Sequence, residues 1–262
     1  MQAFNIPDLQ GTKPVGSDVI YFSCNKDYYY RFGVPLINSI IHTVDFLCIH
    51  IHLVLKPEDI GNINITRHGR ITYTHEVINN EFLSNIPINH SRINEGKVIW
   101  NTDNELDVIE KTYYASARFM RLDELFTDSQ YIFQIDCDSI LRNKFTQNDY
   151  RRLTADVRLM PKPKDPDVII ASSVCLGQGT TGKEFRSLFS QKLKDAFATG
   201  AYWYVDQDVL KEVAATTEWK TIPFVWNSWK IATYDFFITG KGDRKDKDKF
   251  KRVQEHWQSK GI

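Results

Sequence analysis

The chain alternates between short apolar segments that resemble strands and longer segments with helical spacing. Buried strands are predicted at residues 18–24 (DVIYFSC), 47–55 (LCIHIHLVL), 70–77 (RITYTHEV), 131–135 (YIFQI) and 168–177 (VIIASSVCLG). Helices are predicted at residues 28–44, 105–126, 183–197 and 205–215. Strands that alternate with helices are typical of an α/β fold, in which helices flank a largely parallel sheet. Ligands bind at the carboxyl ends of the strands of such sheets.

Residues 79–126 fall into two parts with different patterns. Residues 79–104 are rich in asparagine and predict a long loop with a short strand at residues 97–100 (KVIW). Long loops in compact domains are often functional. The helix that follows places its apolar residues on one face, namely Leu106, Ile109, Tyr113, Ala117 and Met120.

The two ends of the chain differ from its centre. Residues 1–17 contain two prolines and two glycines and predict an irregular lead-in. Residues 18–246 are expected to form one domain. Residues 247–262 carry Phe250, Val253 and Trp257 at helical spacing, which predicts a helix packed on that domain or extending it.

Composition excludes several classes of protein. The chain has 33 basic and 33 acidic residues, and this balance argues against a nucleic-acid binder. Its four cysteines form no CxxC pair, so neither a zinc ribbon nor a disulfide framework is predicted. Cys48, His50 and His52 alternate along one strand, but a zinc site there would need ligands from elsewhere.

The expected location follows from the absence of membrane and export signals. The N-terminal residues show no charged segment followed by an apolar one. The most apolar stretch, residues 44–55, is too short to cross a bilayer and holds two histidines. Cysteines without a disulfide pattern favour a reducing compartment. We therefore expect a cytoplasmic protein without a membrane span.

Two aspartates follow the apolar strand at residues 131–135. Asp136 and Asp138 are one residue apart, so their carboxylates can point to the same side of the chain. Their mutual repulsion is costly unless a cation neutralises it. A hard divalent ion with oxygen ligands and open positions for phosphate is the expected partner. The alternative is a turn or helix cap after the strand.

The segment after the first strand, SCNKDYYY at residues 23–30, is a second candidate. Asp27 would accept hydrogen bonds from a base or ribose, and Tyr28 would stack on a base. The alternative is a helix N-terminus, with Asp27 as its cap and the tyrosines as packing residues.

Three further candidates lie on helices or in a loop. Asp206 and Gln207 stand at a helix start, where they would face a substrate or cap the helix. Residues 238–246 (ITGKGDRKD) have the glycines and basic residues of a phosphate-holding loop, or form a flexible turn. Arg118 precedes the aspartate-bearing strand and would pair with the aspartates or a phosphate, or serve a structural role.

In this order, the segments resemble those of glycosyltransferase family 8, the glycogenin-like retaining enzymes, and the resemblance spans residues 18–246. It assigns nucleotide binding to the turn after the first strand and to three later positions. These residues are Ser23, Cys24, Asp27, Tyr28, Arg118, Gly242 and Lys245. It assigns Asp136 and Asp138 to the metal, and Asp206 and Gln207 to the donor sugar as catalytic residues.

The resemblance implies a fold and a reaction. The fold would be GT-A, a single Rossmann-like domain with a mixed, mainly parallel sheet flanked by helices. The reaction would move a sugar from a nucleotide diphosphate sugar, most simply a UDP-sugar, to a glycan, protein or lipid-linked acceptor with retention of configuration. Mn²⁺ or Mg²⁺ would be the cofactor.

The chain departs from the family pattern at two places. Thr239 stands where the family has a metal-binding histidine. Ala171, Ser172 and Ser173 stand where the family has an Asn-Ala-Gly-like segment near the donor sugar.

Two other functions remain open. A sugar-phosphate nucleotidyltransferase normally has a glycine-rich loop after the first strand, which is absent here. The absence of the family's metal-binding histidine at Thr239 would be consistent with a protein that binds a nucleotide sugar without catalysis.

Overall fold

A computed structural model describes residues 4–94, 104–162, 165–228, 235–240 and 242–261. The strands are β1 (Gln10–Gly11), β2 (Asp18–Cys24), β3 (Cys48–Leu55), β4 (Ile71–Val77), β5 (Tyr131–Ile135), β6 (Ser139–Leu141), β7 (Val157–Lys162), β8 (Asp165–Gly177), β9 (Lys220–Thr221), β10 (Asn227–Ser228) and β11 (Phe237–Thr239). The helices are α1 (Lys26–Tyr28), α2 (Val34–Thr43), α3 (Asn80–Ser84), α4 (His90–Asn94), α5 (Glu105–Met120), α6 (Leu122–Leu125), α7 (Gln147–Leu153), α8 (Thr180–Thr199), α9 (Val205–Ala214) and α10 (Asp248–Gln258). A π-helical turn, Tyr29–Gly33, joins α1 to α2. Single 3₁₀ turns lie at Pro57–Asp59, Phe224–Trp226 and Gly242–Asp246.

The main sheet has the order β1-β4-β3-β2-β5-β8-β7-β9 within the described residues. Strands β4, β3, β2 and β5 run parallel, whereas β1 and β8 are antiparallel to their neighbours. A smaller sheet of β10, β11 and β6 lies beside it. Every residue of β2 is buried, as expected for a strand with helices on both faces. Because β2 and β5 run parallel, their carboxyl ends lie at the same edge of the sheet.

Two apolar clusters pack against opposite faces of the sheet. Alternate residues of β2 supply both, with Val19 and Tyr21 in one cluster and Ile20 and Phe22 in the other. The first cluster takes its helical residues from α3, α5, α6, α8 and α9. The second takes them from α2, α7 and α10. The predicted apolar face of α5 is confirmed, because Ile109, Tyr113, Ala117 and Met120 are buried; Leu106 packs there half-buried.

The predicted α/β fold with a mainly parallel sheet is confirmed, but several local predictions were wrong. Residues 79–104, predicted as a loop, include α3 and α4; the strand predicted at residues 97–100 lies outside the described residues. The long helix ends at Met120, and Arg121 separates it from α6. The lead-in is not wholly irregular, because β1 pairs with β4. Among the helices that the structure describes, none has the length and apolar character needed to cross a bilayer.

Helix α8 begins against the backbone at the end of β8 and just before β7. Gly182, in its first turn, is buried. A Cβ added there would lie 2.3 Å from the carbonyl oxygen of Gly177 and 2.7 Å from that of Asp156. Both neighbours are backbone atoms of the sheet region, which cannot rotate away as a side chain would. The close approach of α8 to the sheet therefore requires glycine at this position.

We predict that Gly182→Ala destabilises the protein, although alanine is the better helix former. Overpacking of this kind costs about 1–3 kcal/mol. Chemical denaturation of the variant and of Gly69→Ala would measure it. Gly69 is a suitable control because nothing lies within 4 Å of its added Cβ. An unchanged or increased free energy of unfolding for Gly182→Ala would contradict the packing described.

Candidate active site

A cleft of about 780 Å³ lies at the carboxyl ends of β2 and β5. Helix α5 forms one wall, the start of α9 a second, and the turn Gly242–Asp246 a third. The lining residues include Ser23, Cys24, Asn25, Tyr28, Arg118, Asp136, Asp138, Asp206, Gln207, Gly242 and Lys245. The parallel half of the sheet therefore ends in a concave, highly charged surface.

The two aspartates after β5 are held by a tight turn. The amide of Asp136 donates to the carbonyl of Ser172 at 3.1 Å, and the amide of Ser139 donates back to the carbonyl of Asp136 at 3.1 Å. The carbonyl of Asp138 accepts from the amide of Gly240 at 2.9 Å. Both carboxylates line the cleft as a result. Burial, followed by the charge of Asp136, raises the pKa of Asp138 to about 7.

Arg118 connects the aspartate pair to α9. Its guanidinium donates a hydrogen bond to Asp136, and its Nη2 lies 3.6 Å from Oδ2 of Asp206. Asp206 stands in the first turn of α9, after Tyr204, which has a left-handed backbone with φ of 74°. Burial raises the pKa of Asp206 to about 6, and the charge of Arg118 opposes that rise. One arginine thus lies between two carboxylates that come from different elements.

Lys245 holds the turn Gly242–Asp246 against Tyr28, the last residue of α1. Its Nζ donates to the hydroxyl of Tyr28 at 2.8 Å and lies 4.0 Å from Oδ2 of Asp138. Asp246 pairs with Arg31 at 2.8 Å on the outer side of the same turn. Burial lowers the pKa of Lys245, but Tyr28 and Asp138 outweigh burial, so the net shift is upward. Lys245 is therefore a cation at neutral pH, directed at the aspartate pair.

The aspartate pair suits a hard divalent cation. Both groups offer carboxylate oxygens, and their proximity raises the cost of leaving them without a cation. No cluster of three or more histidine, cysteine, aspartate or glutamate ligands is present in the described ranges. Thr239 is buried and turned away, because its hydroxyl donates to Asn227 Oδ1 at 2.7 Å and contacts Ser139 Oγ at 2.8 Å. Two carboxylates fit an ion that takes its other ligands from phosphate and water.

Most of the predicted site residues meet in this cleft. Ser23, Cys24, Tyr28, Arg118, Asp136, Asp138, Asp206, Gln207, Gly242 and Lys245 all line it. Asp27 is exposed and is absent from the lining. It does not cap the helix either, because the side chain of Asn25 accepts from the amide of Tyr28 at 2.9 Å. Asn25, which lines the cleft, caps this helix in place of Asp27.

Sequence reasoning missed the outer half of the wall formed by α5. Asp107, Glu110, Lys111 and Tyr114 line the cleft there. The Tyr114 hydroxyl donates to Glu110 at 2.7 Å, and Lys56 pairs with Glu110 at 3.0 Å. These positions precede Arg118 by four, seven, eight and eleven residues, the spacing of one helix face. Counting back from Arg118 would have found them.

The chain is similar to known proteins in its structure and not in its sequence. No family model and no curated protein matches this sequence. The bifunctional glycosyltransferase WbbM, in its apo form, has a TM-score of 0.59 at 14% identity, over 95% of this chain. The present chain spans 51% of that one, about half its length.

Two further solved structures share the fold. Galactosyltransferase LgtC, in complex with donor and acceptor sugar analogues, has a TM-score of 0.57 at 12% identity, over 91% of this chain and 95% of that one. Mouse xyloside xylosyltransferase 1, in its apo form, gives 0.50 at 9% identity, over 87% and 99% of the two chains. The chain therefore has the GT-A fold that was expected, and at such low identity the likeness extends to the fold alone.

We predict that Lys245→Met weakens the binding of inorganic diphosphate by about 10- to 100-fold, because it removes a charged hydrogen-bond donor. Tyr28→Phe should change the affinity for diphosphate by less than about threefold. This substitution removes only the hydroxyl that accepts a hydrogen bond from Lys245 in the ligand-free protein and leaves the lysine itself in place. Calorimetry with Lys247→Met as the control would measure these effects; Lys247 is exposed two residues further along. Equal affinities for Lys245→Met and Lys247→Met would exclude an anion-binding role for Lys245.

Proposed function

We propose that this protein is a glycosyltransferase that moves a sugar from a nucleoside diphosphate sugar, most simply a UDP-sugar, to an acceptor. The observation that carries the proposal is the meeting of Asp136, Asp138, Arg118 and Lys245 in one cleft. This set offers carboxylates to a divalent ion and cations to a diphosphate. The fold supports the proposal, because the similar structures are described as glycosyltransferases, one of them with donor and acceptor sugar analogues.

Asp136 and Asp138 would hold Mn²⁺ or Mg²⁺ together with the donor diphosphate. Such an ion, when bound, neutralises the charge that builds on the leaving diphosphate. Because the chain supplies two carboxylates and Thr239 faces Asn227, the ion would depend on phosphate oxygens for further ligands. We infer that metal and nucleotide bind together rather than in succession.

Lys245 and Arg118 would bind and orient the diphosphate. Lys245 would exchange the Tyr28 hydroxyl for a phosphate oxygen, a move that keeps its Nζ near Asp138. Arg118 already spans Asp136 and Asp206, so it would place the phosphate end of the donor beside α9. Fixed cations next to the developing negative charge stabilise the transition state without reorganisation.

Asp206 and Gln207 would lie beside the donor sugar. Both stand at the start of α9 and line the cleft near Arg118. Asp206 is held by Arg118, which suits a carboxylate that stabilises positive charge at the anomeric carbon without attacking it. The acceptor would then enter on the face that the diphosphate leaves, and the configuration would be retained. Ser23, Cys24, Asn25 and Tyr28 would surround the nucleoside.

The two other functions have less support. A nucleotidyltransferase would use a glycine-rich loop after β2, where this chain has a helix capped by Asn25. A non-catalytic binding protein would hold the nucleotide sugar without cleaving it. Turnover of the donor distinguishes that possibility from an enzyme.

The proposal predicts manganese-dependent hydrolysis of one nucleotide sugar from a panel of UDP-, GDP- and ADP-sugars. Asp136→Asn and Asp138→Asn should each lower that rate by about 100-fold or more, because loss of a metal ligand removes several kcal/mol of stabilisation. Asp128→Asn is the matched control, because Asp128 is exposed and lies outside the cleft lining. No hydrolysis of any donor, or hydrolysis that survives both substitutions, would contradict the proposal.

A second prediction concerns the order of binding. Calorimetric titration with Mn²⁺ should show at least about tenfold tighter binding in the presence of UDP than in its absence, because phosphate oxygens complete the ligand set. Asp138→Asn should abolish the difference. Equally tight binding of Mn²⁺ without UDP would mean that the chain completes the site itself.

A further inference from the structure

A buried polar network lies beneath α5, on the side away from the cleft. We call Tyr21, Glu76, Tyr113 and Arg121 the α5 anchor network. The Tyr113 hydroxyl donates to Oε1 of Glu76 at 2.7 Å, and Nε of Arg121 donates to Oε2 at 2.6 Å. The Tyr21 hydroxyl donates to the backbone carbonyl of Arg118 at 3.0 Å. The network therefore joins β2 and β4 to the last turns of α5.

The network is enclosed and charged. Glu76, Tyr21 and Tyr113 are fully buried, and Arg121 is 2% exposed. Burial alone would raise the pKa of Glu76, but the neighbouring His52, Arg121 and Tyr113 outweigh it and leave that pKa below its usual range. A buried ion pair is often no more stabilising than apolar residues of the same volume. Stability alone therefore does not explain why a charged pair lies in this core.

Glu76 is supported on both sides, so it offers a fixed acceptor. On the β3 side, Nδ1 of His52 contacts Thr74 Oγ1 at 3.1 Å, and Nε2 of His52 lies 3.6 Å from Glu76. On the outer side, Arg121 also donates to the carbonyl of Pro7 and pairs with Glu124 at 2.7 Å. A carboxylate held this way accepts hydrogen bonds from α5 in one orientation only.

Helix geometry connects this network to the cleft. Tyr113 precedes Arg118 by five residues and Arg121 follows it by three, so the two anchors flank it along the helix. A shift of one residue in register would turn α5 by about 100°. Burial of the apolar face of α5 opposes so large a turn, but apolar contacts such as those of Ala117 and Met120 are not directional and fix smaller rotations less well. The hydrogen bonds of the network are directional and oppose small rotations as well.

We propose that Tyr21, Tyr113 and Glu76 are positioning residues that fix the rotation of α5 and so hold Arg118 against Asp136 and Asp206. The proposal rests on the proposed function, because it assigns the network to donor binding through Arg118. None of the three contacts the donor; each acts through the backbone or the neighbouring turn of α5.

A double-mutant cycle tests this proposal. Tyr21→Phe and Tyr113→Phe each remove one hydroxyl and keep the ring, so both variants should fold. Each should weaken the binding of UDP with Mn²⁺, measured by calorimetry, by at least about threefold. In an Arg118→Met background the same substitutions should change that affinity by less than about twofold, because nothing remains to be positioned. Glu76→Gln, which keeps the size and removes the charge, should follow the same pattern.

The control is Tyr150→Phe, a buried tyrosine in the opposite cluster whose hydroxyl has no hydrogen-bond partner among the described residues. It should leave the affinity unchanged. Unchanged affinity for UDP in Tyr21→Phe and Tyr113→Phe would overturn the proposal. An equal loss of affinity in the presence and absence of Arg118 would also overturn it, because such a loss would indicate a general loss of structure. If Arg118→Met alone leaves UDP binding intact, the donor site proposed above is wrong as well.

Discussion

Electrostatic repulsion between two neighbouring carboxylates is the constraint on which the site depends. Asp136 and Asp138 share one small volume at the end of β5, and burial makes their charge more expensive still. In the ligand-free protein, the negative charge of the pair is offset by Arg118 from α5 and by Lys245 from the turn Gly242–Asp246. These two ion pairs bring α5, the end of β5 and that turn together. A divalent ion and a diphosphate would take over the same electrostatic role.

Helix α5 links the core to this site because it carries different chemistry on its two faces. One face packs on the sheet and binds Glu76 through Tyr113 and Arg121. The other face presents Tyr114 and Arg118 to the cleft. A rigid element with a fixed rotation can place a charged side chain accurately, which a loop of the same sequence would not do. The buried charges of the core and the largely buried charges of the cleft are parts of one arrangement.

Local patterns were enough to predict the strands and the aspartate pair, because both depend on neighbours in sequence. The buried strand at residues 18–24 matches β2, and Asp136 and Asp138 lie where a strand end places them. The antiparallel direction of β8 was not predicted, since strand direction depends on the path of the chain between elements. Asn25 was missed for a related reason, because its access to the cleft depends on how α1 packs. Glu110 was missed because Arg118 was considered by itself, without the other residues on the same face of α5.

The most direct measurement is a crystal structure of the protein with UDP and Mn²⁺, with anomalous data collected at the manganese edge. An anomalous peak bridging Asp136, Asp138 and the diphosphate, with Lys245 on a phosphate oxygen, is the expected result. The nucleoside should lie against Asn25 and Tyr28. Manganese at another site, or UDP bound outside this cleft, would contradict the assignment of the carboxylate pair as the donor site.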